Sequence, residues 1–469
     1  MSPRGARARP PSANSVDPPS ARDDDGAVTT RPEPTAPGAD VDVGPPPGGR
    51  DGHRPGWKRD LVLFLSGQTV SLFGSMIVQY AVMWHLTLET RSGTVLAISS
   101  VVGFLPQAVV SVFGGVWADR LDRKKLVMGA DAVIALTTLA LAVLMLNGFD
   151  GPDDLWLIYV ALAIRSAGAG IQTPAVAALV PQIVPGDQLL RVNGVNATIQ
   201  AGLALLAPAA AAAVYATSSI VAVFFIDVVT AAVGISLLAV LTVPRLVRSG
   251  EPVGYFDDLV AGVRYVARHG FVRWFLGLYA LVFLLIVAPS YLTPLLVVRT
   301  FGDEVWKLTV NELAFSVGML LGGAAIAAVG QRLGSRITLV LASTVAFGVL
   351  SVLMGVAGWM WLFFGLMFLL GLAVPFFSTP SMTLLQETVE PEMHGRVFGF
   401  VGIVMAVAMP LGMAVFGPLA DVFTVESILV VAGLALFAVV GLAGALPSGR
   451  RALADLTARQ DEHDGARGR

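Results

Sequence analysis

The stretch GGVWADRLDRKK, Gly114–Lys125, lies between two long apolar runs and gathers two acids and four cations into the seven positions Asp119–Lys125. The surrounding sequence determines what kind of turn this is. Charged residues make up 14% of the chain and AVILMFWYC 55%, whereas an ordinary soluble domain carries about 25% charged residues. A soluble domain of this length has no place to hide so much apolar surface. Long, mostly apolar runs recur from Leu61 to Leu446. Each is sufficient to cross a hydrocarbon core of ~30 Å as a helix rising ~1.5 Å per residue. The chain reads as a polytopic membrane protein in contact with the lipid bilayer, and the charged stretch as a tight loop between two crossings.

Apolar runs divided by Gly, Pro and charged breaks predict twelve helices, at 60–84, 94–118, 124–147, 154–180, 188–215, 219–243, 271–298, 306–330, 335–357, 359–386, 395–420 and 425–446. Residues 1–56, rich in Pro, Gly, Asp and Arg with no apolar run, read as a disordered N-terminal tail and not as a cleavable signal peptide. Residues 448–469 form a similarly polar C-terminal tail. The predicted organisation is therefore a six-helix bundle at 57–244, a linker at 245–270 and a second six-helix bundle at 271–447. Within the linker, YFDDLVAGVRYVARHG places Phe256, Leu259, Val260, Val263 and Val266 at helical spacing. This predicts a short amphipathic helix, lying either on the membrane surface or against the protein.

Lysine and arginine orient the set. Lys58, Arg59, Arg120, Arg123, Lys124, Lys125, Arg191, Arg245, Arg248, Arg264, Arg268, Arg332, Arg336, Arg396, Arg450 and Arg451 fall on one side, against Arg91, Arg299 and Lys307 on the other. The bias of positive charge toward the cytoplasm predicts a multi-pass protein of the plasma (inner) membrane with both termini cytoplasmic.

The two halves echo one another. Thr-Pro recurs at 173–174 and 379–380, Pro185 matches Pro391, and Arg-Val-x-Gly recurs at 191–194 and 396–399. Equivalent helices come in the same order six apart. Such a parallel repeat is expected of a two-bundle transporter with its site between the bundles.

On these residues the chain resembles the major facilitator superfamily. The signature after the second helix, Gly-x-x-x-Asp-Arg-x-Gly-Arg-Arg/Lys, is matched by Gly115, Asp119, Arg120, Arg123 and Lys124. Asp122 replaces the second Gly, a residue type able to accept left-handed geometry. SGQTVSLFGSMIVQYAVMWHLTLETRSGTVLAISSVVGFLPQAVVSVFGGVWADRLDRKKL, with NELAFSVGMLLGG and MPLGMAVFGPLAD, is similar to the macrolide-efflux branch of the drug/proton antiporters. The likeness spans roughly Trp57 to Leu446. It implies the major facilitator fold, all-α and integral to the membrane, and proton-coupled efflux of a small hydrophobic or amphiphilic substrate. It also implies a gate at the charged loop, with Asp131 and Arg396 as candidate partners of Asp119; the alternative is topological anchoring alone.

A charge inside a bilayer is costly, so each one invites a functional reading. Arg165 in ALAIRSAGAG, Asp227 in FFIDVVT and Glu312 in VNELAF are the proton-coupling candidates. For each, a structural ion pair or interfacial solvation is the competing account. In this family helices 1, 4, 7 and 10 line the cavity, which nominates Gln79, Trp84, Gln172, Tyr291, Phe376 and Phe377. Pro174, Pro289, Pro294, Pro375 and Pro380 offer kinks in those helices.

No cofactor is expected. The chain has no cysteine, which excludes disulfides and thiolate metal sites, and its five histidines suggest no metal cluster. No G-x-x-x-x-G-K-[ST] occurs to bind ATP, and no nucleic-acid partner is expected. The expectation is a monomeric transporter and not an enzyme. Export of a siderophore or other natural product is the rival within transport, and a transport-inactive membrane sensor or scaffold the rival outside it.

Overall fold

The computed structural model describes residues 56–243, 263–330, 335–390 and 393–445. Among these, twelve helices are long and apolar enough to cross a membrane. They are α1 (Trp57–Thr90), α2 (Gly93–Arg120), α3 (Arg123–Leu146), α4 (Leu155–Ile183), α5 (Leu189–Thr217), α6 (Ile220–Val240), α7 (Gly270–Tyr291), α8 (Val305–Val329), α9 (Arg336–Val356), α10 (Met360–Thr388), α11 (His394–Val422) and α12 (Val425–Ala445). No strand occurs among the described residues. The tails lie outside the described residues, as does most of the linker; of its predicted helix 263–270 is described, helical over 263–268 and broken at His269 before α7.

Helix ends follow local chemistry. α1 runs six residues past its predicted end, through HLTLET, because nothing breaks it before Arg91. Arg91 takes a left-handed conformation (φ 48°), and the Ser92 side chain then caps α2 by accepting from the Val95 amide at 3.3 Å. Asp122 is extended (φ −68°) and not left-handed, and its carboxylate accepts from the Lys125 amide at 3.2 Å. The residue that departs from the family signature is thus the N-cap of α3.

α7 ends at Tyr291, where Leu292 precedes a short turn at Thr293–Leu296 and a π-helical turn at Val297–Phe301. Pro289 and Pro294 flank the break, each removing an amide from the helical ladder.

α1–α6 pack chiefly on one another, through α2–α4, α1–α6, α3–α4 and α3–α6. α7–α12 do likewise, through α8–α10, α9–α12 and α9–α10. The halves meet where α2 crosses α11 and α5 meets α8.

Candidate functional site

A cavity of about 470 Å³ lies between the halves. From the first half, Met76, Gln79, Tyr80 and Met83 of α1 face it, with Phe104 of α2 and Ala204 of α5. Their positions on α1 step by three and four residues, one stripe of a helix. From the second half come Phe283, Tyr291 and Phe377, joined by Phe347 of α9 and the methionines Met319, Met367, Met405 and Met409. Six of the chain's fourteen Met residues face this space. Flexible thioethers and aromatic faces suit bulky apolar ligands of varied shape. Among the described residues Glu312 of α8 is the one acid in the lining, and Ser290, Ser316 and Ser378 add hydroxyls.

The cavity candidates therefore divide. Gln79, Tyr291 and Phe377 line the space, while Trp84, Gln172 and Phe376 do not. Trp84 is fully buried (0% exposed) in the interior, its ring tilted against Tyr80 at 5.9 Å between centroids. α4 contributes no lining residue, and Gln172 instead donates its side-chain amide to Asp131.

The three intramembrane candidates also separate. Arg165 and Asp227 form an ion pair inside the first half, the carboxylate 0% and the guanidinium 12% exposed. Asp227 Oδ1 accepts from the Ser75 hydroxyl at 3.0 Å. Its Oδ2 accepts from Arg165 and lies 3.0 Å from the Thr138 hydroxyl, which Arg165 also contacts. The cluster thus draws on α1, α3, α4 and α6. Glu312 stands apart, on the cavity wall of the second half. Asp131 is not at the charged loop but 3% exposed in the interior, held by Gln172.

At the loop that opened the sequence reading, the described contacts stay within the first half. Arg123 donates to the carbonyls of Ala118 and Ala178, each at 2.9 Å. Lys124 donates to those of Ala239 and Leu241 at 2.7 Å, closing the C-terminal end of α6, where a cation suits the helix dipole. Gly115 lies within α2, and Arg120 ends it, exposed. The Asp119 side chain lies outside the described residues.

The opposite end carries a contact between the halves that the sequence reading missed. Asp421, in the last turn of α11, reaches the N-terminus of α2. It accepts from the amides of Gly93 (2.6 Å) and Thr94 (2.8 Å) and from the Ser92 hydroxyl (2.9 Å). Arg299 braces it from the π-helical turn at 3.1 Å and donates to the Arg91 carbonyl. Arg91 in turn pairs with Asp303 at 2.6 Å. Beneath this cap the backbones touch: a Cβ on Gly93 would sit 2.2 Å from the Gly417 carbonyl oxygen, so only glycine fits there. The available clue was that Arg91 and Arg299 are two of only three cations predicted on that side.

Comparison with known proteins agrees with this geometry. The family model of the Major Facilitator Superfamily matches residues 61–311 and 306–464. Macrolide efflux protein A of Streptococcus pyogenes is 33% identical over 377 residues, covering 78% of this chain and 90% of that protein. The protein of the same name from Enterococcus faecalis is 32% identical, over 68% of this chain and all of its own length (100%). Multidrug efflux pump Tap of Mycolicibacterium fortuitum is 24% identical over 77% of this chain and 89% of its own. Among solved structures, a POT family transporter in complex with 5-aminolevulinic acid superposes with a TM-score of 0.65 at 13% identity, covering 84% of this chain and 96% of that one. A bacterial homologue of the iron transporter ferroportin, inward-facing, superposes at 0.61 and 18% identity, covering 82% and 98%. At such identities the superpositions speak for the fold alone.

Proposed function

The chain belongs to the Major Facilitator Superfamily, and from that premise we propose that it is a proton-driven exporter of hydrophobic drug-like compounds, macrolides among them. The observation that carries the reading is the cavity: about 470 Å³ between the halves, walled by methionine and aromatic side chains with Glu312 as its one acid. That volume suits a drug-sized ligand. The printed names of the relatives, macrolide efflux and multidrug efflux, supply the direction of transport and the substrate class.

Orientation follows from charge. The end bearing Lys58, Arg123, Lys124 and Arg336 faces the cytoplasm by the positive-inside bias, and the Asp421 cap faces out. The conformation is then closed to the outside. Arg165 and Asp227 hold the ionic centre of the first half, and Glu312 meets substrate or protons at the wall. The loop at Asp119 closes the cytoplasmic side in the alternate state. Each of the two closures holds its state by only a few kcal/mol, or the other state would never be populated.

The test is uphill efflux of radiolabelled erythromycin from cells expressing the chain, with and without a protonophore, beside a siderophore control. Protein-dependent export that the protonophore stops is the expected result. Export of the siderophore alone makes the chain a natural-product exporter. No export of either, with the protein inserted, makes it a sensor or scaffold.

A further inference from the structure

The interior of the first half holds two carboxylates and one guanidinium, and the guanidinium is already taken. α3 and α4 run antiparallel and are joined by two rungs, Asp131 with Gln172 and Thr138 with Arg165. The rungs are seven residues apart on both helices, two turns or ~10 Å. On the upper rung Asp227 is saturated: Ser75 occupies one oxygen, and Arg165 and Thr138 the other. On the lower rung Asp131 Oδ1 accepts from Gln172 and the Ser71 hydroxyl faces the carboxyl, while Oδ2 accepts no well-formed hydrogen bond among the described residues although the residue is 3% exposed.

Among the described residues, the groups that bear on Asp131 from the packed helices offer no cation. α1 presents the Ser71 hydroxyl, α4 the Gln172 amide, and α6 the like charge of Asp227, itself bound to Arg165. An unpaired charge at that depth is expensive, and a bound proton on Oδ2 balances the cluster.

We infer that Asp131 is the carboxyl that binds the transported proton, with the Arg165–Asp227 pair as the fixed ionic frame beside it. The inference rests on the proton-driven reading above. The O–H bond forms on Oδ2 with a proton from water on the outer side and breaks to water on the inner side; no other bond changes. Gln172 and Arg165 share α4, so a movement of that helix displaces the partners of both rungs together. Gln172 stands two residues before Pro174, where the helical ladder lacks an amide.

The experiment uses the full chain in proteoliposomes, with infrared difference spectra recorded across a pH series and proton movement recorded on adding erythromycin. A protonated buried carboxyl gives a carbonyl stretch distinct from carboxylate. We expect that band in the wild type and its loss in Asp131→Asn. Asp131→Glu should restore it at a changed midpoint. In Asp227→Asn, where a like charge is removed and Arg165 is freed, it should persist with proton affinity lowered about tenfold or more. Asp131→Asn should still exchange erythromycin across the membrane but not accumulate it uphill. The inference is overturned if the band survives Asp131→Asn or disappears only in Glu312→Gln. It is also overturned if replacing choline chloride with sodium chloride abolishes the band, which would make this a sodium site. Wild-type liposomes that move erythromycin but no protons would instead sink the proton-driven reading itself.

Discussion

In α1–α6 the protected interior carries Arg165, Asp227 and Asp131; in α7–α12 it carries Phe275, Tyr279, Phe347 and Phe377. Tyr279 lies 4.7 Å from Phe283 and 5.5 Å from Phe377, centroid to centroid, and Phe347 is 5.7 Å from Phe377. The halves share helix order and the Thr-Pro echo, so the contrast can be followed residue by residue. At the offset set by Thr173-Pro174 and Thr379-Pro380, the position that matches Arg165 is Gly371. A Cβ on Gly371 would lie 2.1 Å from the Phe315 carbonyl oxygen of α8. One half inserts a guanidinium where the other presses two backbones together. The first interior holds an ion pair and a further carboxyl; the second centres on an aromatic cluster whose surface continues into the cavity.

The largest expected effect comes from emptying the ionic side. Arg165→Ala leaves Asp227 buried without its cation, and breaking such a pair costs about 3–5 kcal/mol. Uphill export should stop and thermal unfolding in detergent should fall steeply. Arg165→Lys keeps charge but loses the planar fork, and should retain part of both. Replacing the pair together, Arg165→Met with Asp227→Leu, should recover much of the stability and none of the uphill export. Recovery of transport in that double variant would make the pair mere packing, and the two interiors would then differ in composition alone.

Next comes the matching position. Gly371→Ala must push α10 from α8, an overpacking that costs about 1–3 kcal/mol. Because no charge is touched, the protein that does fold should keep the wild-type response to a protonophore. A changed response would erase the division between the halves.

Smaller still is Phe377→Ala, at the edge where the aromatic wall meets the cavity. It should weaken erythromycin binding about tenfold, roughly 1.4 kcal/mol, and widen the range of compounds accepted, leaving proton movement unchanged. Transport assays over a panel of substrates would check it.

The smallest expected effect is at the α7–α8 turn. The Lys307 hydrogen bond holds the exposed Glu304 carboxyl below its ordinary range. A depressed carboxyl stabilises the fold above its unfolded-state range and loses that contribution as pH falls through the folded-state value. Glu304→Gln should therefore flatten the acid limb of stability slightly, as expected of an exposed, screened pair, and leave transport alone.

Much of this was legible in the sequence. All twelve spans were, because a bilayer demands long apolar helices and charged or Gly/Pro breaks end them. Arg165 and Asp227 were legible as suspects because they are charges at depth, although their pairing required the fold. What the sequence hid was facing. In a membrane helix the lipid side and the protein side are both apolar, so the periodicity that orients a soluble helix is weak. Phe376 and Phe377 are neighbours in sequence, yet only the second reaches the cavity. Trp84 lies beside Met83 and turns away from it into the core. Asp131, early in the third predicted helix, read as a partner for the charged loop, but two turns of α3 carry it into the interior, against Gln172.

The cap at Asp421 is written mostly in main chain: two of its three donors from α2 are amides that every residue but proline possesses. Sequence drift along Ser92–Thr94 therefore erodes the closure only slowly, provided the glycines at the crossing and the one carboxylate survive. A lineage under drug pressure is free to rework the methionines and rings of the cavity generation after generation. The Asp421 closure would pass through that history with hardly a trace in the substitution record.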